Sequence, residues 1–125
     1  MMEKEFVSYE QAVALKELGF DEMCLAWHNS IRLFIDNYDN YNSKMPFEYC
    51  CSLPLKQQVF RWFREKYKLE PEIVSDMFGY VVSIVDRNKP VKIQLSPKNL
   101  FQTYEEAENA CIDKLIELSK QLNKQ

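Results

Sequence analysis

Few residues in this chain have the types and spacing that chemistry requires. Four cysteines, Cys24, Cys50, Cys51 and Cys111, accompany a single histidine, His28. A nucleophilic Cys–His couple needs hydrogen-bond reach between the two side chains. Cys24 lies four positions from His28 on one extended segment, too far for that contact, so His28 reads as structural. Cys50 and Cys51 are adjacent rather than spaced like zinc ligands, and strand alternation would turn one thiol inward and one outward. Cys111 falls on an apolar helical stripe, where it acts as a small hydrophobe. The oxygen-rich cluster Asp36, Asn37, Asp39, Asn40 and Asn42 fails the calcium-loop pattern, because Tyr38 takes the third position and no glycine follows. Turn chemistry explains it better.

Other catalytic signatures are missing. There is no G-x-S-x-G, no H-E-x-x-H and no G-x-x-x-x-G-K-[ST]. The only glycines are Gly19 and Gly79, which excludes glycine-rich phosphate loops and dinucleotide fingerprints. The expectation is a protein that is not an enzyme and that uses no cofactor or metal. A thiol-based enzyme or sensor around Cys50-Cys51 is the remaining catalytic alternative.

The segment "QQVFRWFREKYK", Gln57 to Lys68, holds four aromatics and four basic residues in twelve positions. A helix turns about 100° per residue. On that wheel Leu55, Val59, Phe60, Trp62, Phe63 and Tyr67 fill one half, while Gln57, Arg61, Arg64 and Lys68 share the other. Lys66 falls inside the apolar arc and is expected to snorkel. A surface that stacks bases needs aromatics and cations on one exposed face, so the aromatics read as core. The outward stripe Arg61-Arg64-Lys68, with Lys56, is the candidate partner-binding face. Residues 54–68 carry five Lys/Arg against one Asp/Glu, whereas the whole chain has a net charge of −3. A protein partner therefore ranks above nucleic acid.

The elements that position these residues are readable from caps and periodicity. Ser8 with Gln11 forms a capping box for a helix over 9–18, and Gly19 suits its left-handed end, with Leu15 and Phe20 in Schellman contact. Met23 to Ile35 reads as a hairpin with an Asn29-Ser30 turn. That turn pairs His28 with Ile31, Ala26 with Leu33 and Cys24 with Ile35. Residues 36–52 read as a long polar loop, with Phe47 to Cys51 as a short strand. A second helix spans 54–68, with Pro54 in its first turn and Glu70-Pro71 ending it. Ile73-Val74 is ambiguous. Gly79–Val85 and Val91–Leu95 read as strands. Thr103 with Glu106 forms a second capping box. Tyr104, Ala107, Cys111, Leu115, Leu118 and Leu122 make the stripe of the last helix. The order α-β-β-α-(β)-β-β-α implies an α+β fold. It is expected as one two-layer domain over 1–125, with three helices on an antiparallel sheet of four to five strands.

Apolar residues make up 46% and aromatics 14% of the 125 residues, which suits a folded globular chain. No apolar run reaches membrane-spanning length, and the charged start has no signal-peptide pattern. Cytoplasmic residence with four reduced thiols is expected.

Three segments carry a resemblance: "SYEQAVALKELGFDE" (8–22), "LPLKQQVFRWFREKYKLEPEI" (53–73) and "TYEEAENACIDKLIEL" (103–118). Together they resemble a group of short proteins of unknown activity found in gut Bacteroidetes and their phages and prophages. They span roughly 40% of the chain, and "QQVFRWFREKY" is the most specific. The resemblance implies a small cytoplasmic accessory protein of a mobile element or phage, with no catalytic residues to carry over. The expected function is protein–protein binding. The alternative is a nucleic-acid-associated accessory using the basic face of helix 54–68.

Overall fold

Ser8 starts the first helix as its side chain predicts. Its Oγ accepts from the Gln11 N–H at 3.1 Å, and the Gln11 side chain accepts from the Ser8 N–H at 2.9 Å, closing the capping box. Helix α1 then runs Tyr9–Glu17. Gly19 takes φ 95°, its N–H donates to Lys16, and the Phe20 N–H donates to Leu15. This is the Schellman pattern, and Leu15 and Phe20 are both buried beside it.

The computed structural model describes residues 2–44, 50–95 and 100–124. The chain divides into two compact units, Met1–Lys56 and Gln57–Gln125, each with its own sheet. In the first, strands β1 (Cys24–His28), β2 (Leu33–Asp39) and β3 (Cys51–Ser52) pair antiparallel in the order β2-β1-β3. The hairpin register differs from the expected one. His28 pairs with Leu33, Trp27 with Phe34 and Ala26 with Ile35. The cause is a longer turn. Asn29 Oδ1 accepts from the N–H groups of Ile31 and Arg32, and Ser30 takes φ 79°. The slip is two residues, so every side chain keeps its face. A bulge then places Cys24 opposite Asp39 instead of Ile35.

The expected loop 36–52 is largely structured. Strand β2 runs through Asp39, and a one-turn helix α2 (Tyr41–Lys44) follows. Asn42 ties this corner together. It exchanges two hydrogen bonds with Ser52 and donates its amide to the Phe20 carbonyl. The expected strand Phe47–Cys51 lies outside the described residues as far as residue 49, and Cys51 itself is in β3. The N-terminal segment forms a 3-10 turn (Met2–Glu5), then an isolated bridge from Phe6 to Leu55.

The second unit holds most of α3 (Lys56–Lys66), then β4 (Leu69–Asp76), β5 (Gly79–Asp86), β6 (Val91–Leu95) and α4 (Tyr104–Asn123). Its sheet order is β4-β5-β6. Helix α3 is shorter than the expected 54–68. Leu55 is taken by the bridge to Phe6, and Lys68 adopts φ 59°, which stops the helix before Pro71 can. Pro71 instead sits within β4, an edge strand, where a missing N–H is tolerated. Ile73-Val74 is strand.

Helix α4 packs across β4 and β5. Its N-cap bond forms between Thr103 Oγ1 and the Glu106 N–H. Its buried face is Ala107, Glu108, Cys111, Ile112, Leu115, Ile116 and Ser119. Tyr104 is exposed and Leu118 and Leu122 are half-buried, so the expected stripe is rotated toward Ile112, Ile116 and Ser119. The α+β class holds, with the strands in two three-stranded sheets and a fourth, short helix.

Leu115 is fully buried, so Leu115→Ala is expected to cost about 2–5 kcal/mol in urea melts, from lost transfer energy and a cavity. Leu118→Ala should cost clearly less. Equal costs would contradict the rotated face.

Candidate functional site

The α3 wheel is realised. Val59, Phe60, Trp62, Phe63 and Tyr67 are buried, and Arg61, Arg64 and Lys68 are exposed. Leu55 is 36% exposed, outside the core it was expected to join. Lys66 is exposed, with its ammonium 5.1 Å from the Trp62 ring and 5.7 Å from the Tyr67 ring, so it covers the aromatics as a cation–π cap. Arg61 faces Glu65 one turn on, at 3.9 Å. Lys56 departs from the expected face. Only 4% of it is exposed, so it is not part of the outward stripe.

The structure adds cations that the sequence did not associate with this helix. The Tyr67 carbonyl accepts from Asn88 Nδ2 at 2.8 Å, and the Lys68 carbonyl accepts from the Arg87 N–H at 2.9 Å. The Tyr67 hydroxyl accepts from Asn123 Nδ2 at 3.1 Å. These bonds bring the β5–β6 turn, with Arg87 and Lys89, and the last turn of α4, with Lys120 and Lys124, to the end of α3. At the opposite end of both helices Gln57 donates to Glu108 at 3.2 Å. The two helices therefore run in the same direction, and the Tyr67 side chain, just past the end of α3, reaches the last turn of α4.

A second feature lies at the β4–β5 turn. Met77 is 92% and Phe78 77% exposed. The turn is braced. Asp76 Oδ1 accepts from the Phe78 N–H, and Tyr80 and Phe101 exchange backbone hydrogen bonds at 2.8 and 3.1 Å. Gly79 has φ 149°, and a Cβ there would lie 2.5 Å from the Phe101 carbonyl oxygen, so only glycine fits. An open depression of about 460 Å³ borders the tip, lined in part by Ser75, Tyr80 and Gln102. This knob carries no signature in the sequence, because exposure of a Met-Phe pair in a turn follows no fixed spacing or motif.

The thiols are the third candidate. Cys51 stands opposite His28 across β1 and β3, a juxtaposition the sequence could not place. His28 Nδ1 accepts from the Ser30 N–H at 2.9 Å, and its ring lies 4.8 Å from Tyr9, which holds it as a turn brace. Lys16 Nζ donates to the Cys50 carbonyl at 2.7 Å. Cys50 and Cys51 are both buried, against the expected in-and-out pair. Burial pushes the Cys51 thiol up, the nearby Lys16 offsets part of this, and Cys50 and Glu17 add to the rise. Burial and then Glu108 push Cys111 up to about 12. Thiols raised this way stay protonated and are poor nucleophiles. All four cysteines are free. Among the described residues no group of three or more His, Cys, Asp or Glu side chains could hold a metal ion.

Comparison with protein-family models, curated proteins and solved structures finds no match. Among the described residues no helix is long and apolar enough to cross a membrane.

Cys111 gives a pH signature. Its folded value lies above the ordinary 9.0, so the unfolded chain loses its proton first as pH rises. Stability is therefore expected to fall from pH 9 toward 12, and Cys111→Ala should make that decline shallower in urea melts. An unchanged slope would show that Cys111 is not sealed.

Proposed function

We propose that the chain is a small non-enzymatic binding protein whose anchor on a protein partner is the β4–β5 hairpin tip. The observation that carries this reading is the exposed Met77-Phe78 pair on a turn fixed by Gly79. Large apolar side chains held out in water on a rigid support mark interaction surfaces, and aromatic anchors that insert into a partner's pocket dominate binding energy. Methionine beside an aromatic adapts to an irregular apolar cleft. The sealed thiols favour binding over thiol chemistry. The resemblance of 8–22, 53–73 and 103–118 to proteins of gut Bacteroidetes and their phages suggests the setting, an accessory of a mobile element working in the cytoplasm.

A photo-crosslinking residue at position 78, used in the source cell, is expected to trap a discrete protein that the same residue at exposed position 94 does not trap. Met77→Ser with Phe78→Ser should weaken capture of that protein at least about 30-fold, the loss of one hot spot. It should leave the urea midpoint nearly unchanged, since exposed substitutions stay within about 0.5 kcal/mol. Equal trapping at 78 and 94 would overturn the reading.

A further inference from the structure

We propose that the end of the second unit gathered around Tyr67 docks an acidic segment of a partner polypeptide. This surface is separate from the hairpin tip. Strand β4 starts beside it at Leu69 and reaches the tip after Asp76, eight residues or about 26 Å away.

Three short segments build it: 64–70, 86–89 and 118–124. They hold seven cations, Arg64, Lys66, Lys68, Arg87, Lys89, Lys120 and Lys124, against three carboxylates. Those carboxylates are engaged. Glu65 faces Arg61, Glu70 pairs with Arg87 at 2.7 Å, and Asp86 is buried and accepts from Asn88. Among the described residues no carboxylate pairs with Arg64, Lys89, Lys120 or Lys124. Part of the charge serves the fold, because cations offset the negative ends of α3 and α4, and Lys68 Nζ donates to the Glu65 carbonyl at 3.1 Å. The excess beyond that is open to a ligand.

Lys68 supplies an independent observation. Its φ of 59° belongs to the position after a helix end where glycine is the unstrained choice, as Gly19 shows at the end of α1. A strained residue kept against a simpler alternative points to a use for its side chain. Here that side chain is a cation within segment 64–70, on a residue whose carbonyl accepts from Arg87 of the second segment.

The surface favours a polypeptide over nucleic acid. Its aromatics, Trp62, Phe63 and Tyr67, are at most 9% exposed, so no stacking platform for bases exists. The chain as a whole carries a net charge of −3, which opposes binding of a long polyanion more than of a short acidic segment. The Arg64 guanidinium also suits carboxylates, which it can bind in bidentate fashion.

The test is fluorescence anisotropy of a labelled peptide of alternating glutamate and aspartate with the full chain, at about 0.05 and about 0.15 M salt. Saturable binding that weakens with salt is expected. Arg64→Ala with Lys89→Ala should weaken it about 10-fold or more, the scale seen for close charge pairs. Met77→Ser with Phe78→Ser should leave it unchanged. Lys68→Gly separates a binding role from a structural one, because it should raise the melting temperature and still weaken peptide binding. Peptide binding that is absent, or unaffected by the Arg64/Lys89 pair, overturns the proposal. So does tighter binding of duplex DNA through the same cations, or self-association in sedimentation that the Arg64/Lys89 variant abolishes.

Discussion

The second unit depends on two hydrogen bonds from one turn. Asn88 donates its amide to the Tyr67 carbonyl, and the Arg87 N–H donates to the Lys68 carbonyl. Carbonyls at a helix end have no partner within the helix. Here a distant turn satisfies them and holds Lys68 in a left-handed conformation that a non-glycine residue adopts at a cost. The chain can then leave α3 and enter β4 within two residues. Asp86 completes the clamp by accepting from both the N–H and the side-chain amide of Asn88. The Tyr67 hydroxyl extends it to Asn123 and the end of α4.

The same bonds set the electrostatics. The C-terminal ends of α3 and α4 are linked through the Tyr67 side chain, and lysines and arginines from three segments collect near these two partially negative helix ends. The first unit uses a comparable device. Asn42 pairs with Ser52 and takes up the Phe20 carbonyl just beyond the Schellman turn, joining α1, α2 and β3. In both units an asparagine side chain supplies hydrogen bonds where the chain turns: the Asn42 amide donates and accepts, and the Asn88 amide donates twice.

What was legible in the sequence followed from local chemistry. Ser8, Gln11, Gly19 and Phe20 specify both ends of α1 through contacts within a few residues. Thr103 marks the start of α4, and the alternation from Val91 to Leu95 marks β6. The segregation of Arg61, Arg64 and Lys68 from the α3 aromatics was legible for the same reason. Non-local effects were not. Asn29 closes a four-residue turn with its side chain and shifts the hairpin register by two. Lys68 ends α3 in a conformation that its residue type does not announce. Lys56 is buried by its surroundings, and Ile112 and Ile116 replace Leu118 and Leu122 because the position of the sheet decides which face of α4 is inside. Arg87, Lys89, Lys120 and Lys124 join the basic face only through bonds that span 21 and 56 positions. No spacing rule reaches that far.

The role of the clamp is tested most directly by amide hydrogen exchange at Arg87 in Asn88→Ala. The substitution removes the bond to Tyr67 and leaves the Arg87 N–H facing Lys68 without support. Exchange at Arg87 is expected to speed up about 10-fold or more, matching the loss of roughly one net hydrogen bond to local stability, while the amides at the centre of α4 keep their protection. Unchanged exchange at Arg87 would contradict the claim that Asn88 holds the end of α3, and with it the basis for a basic surface assembled around Tyr67.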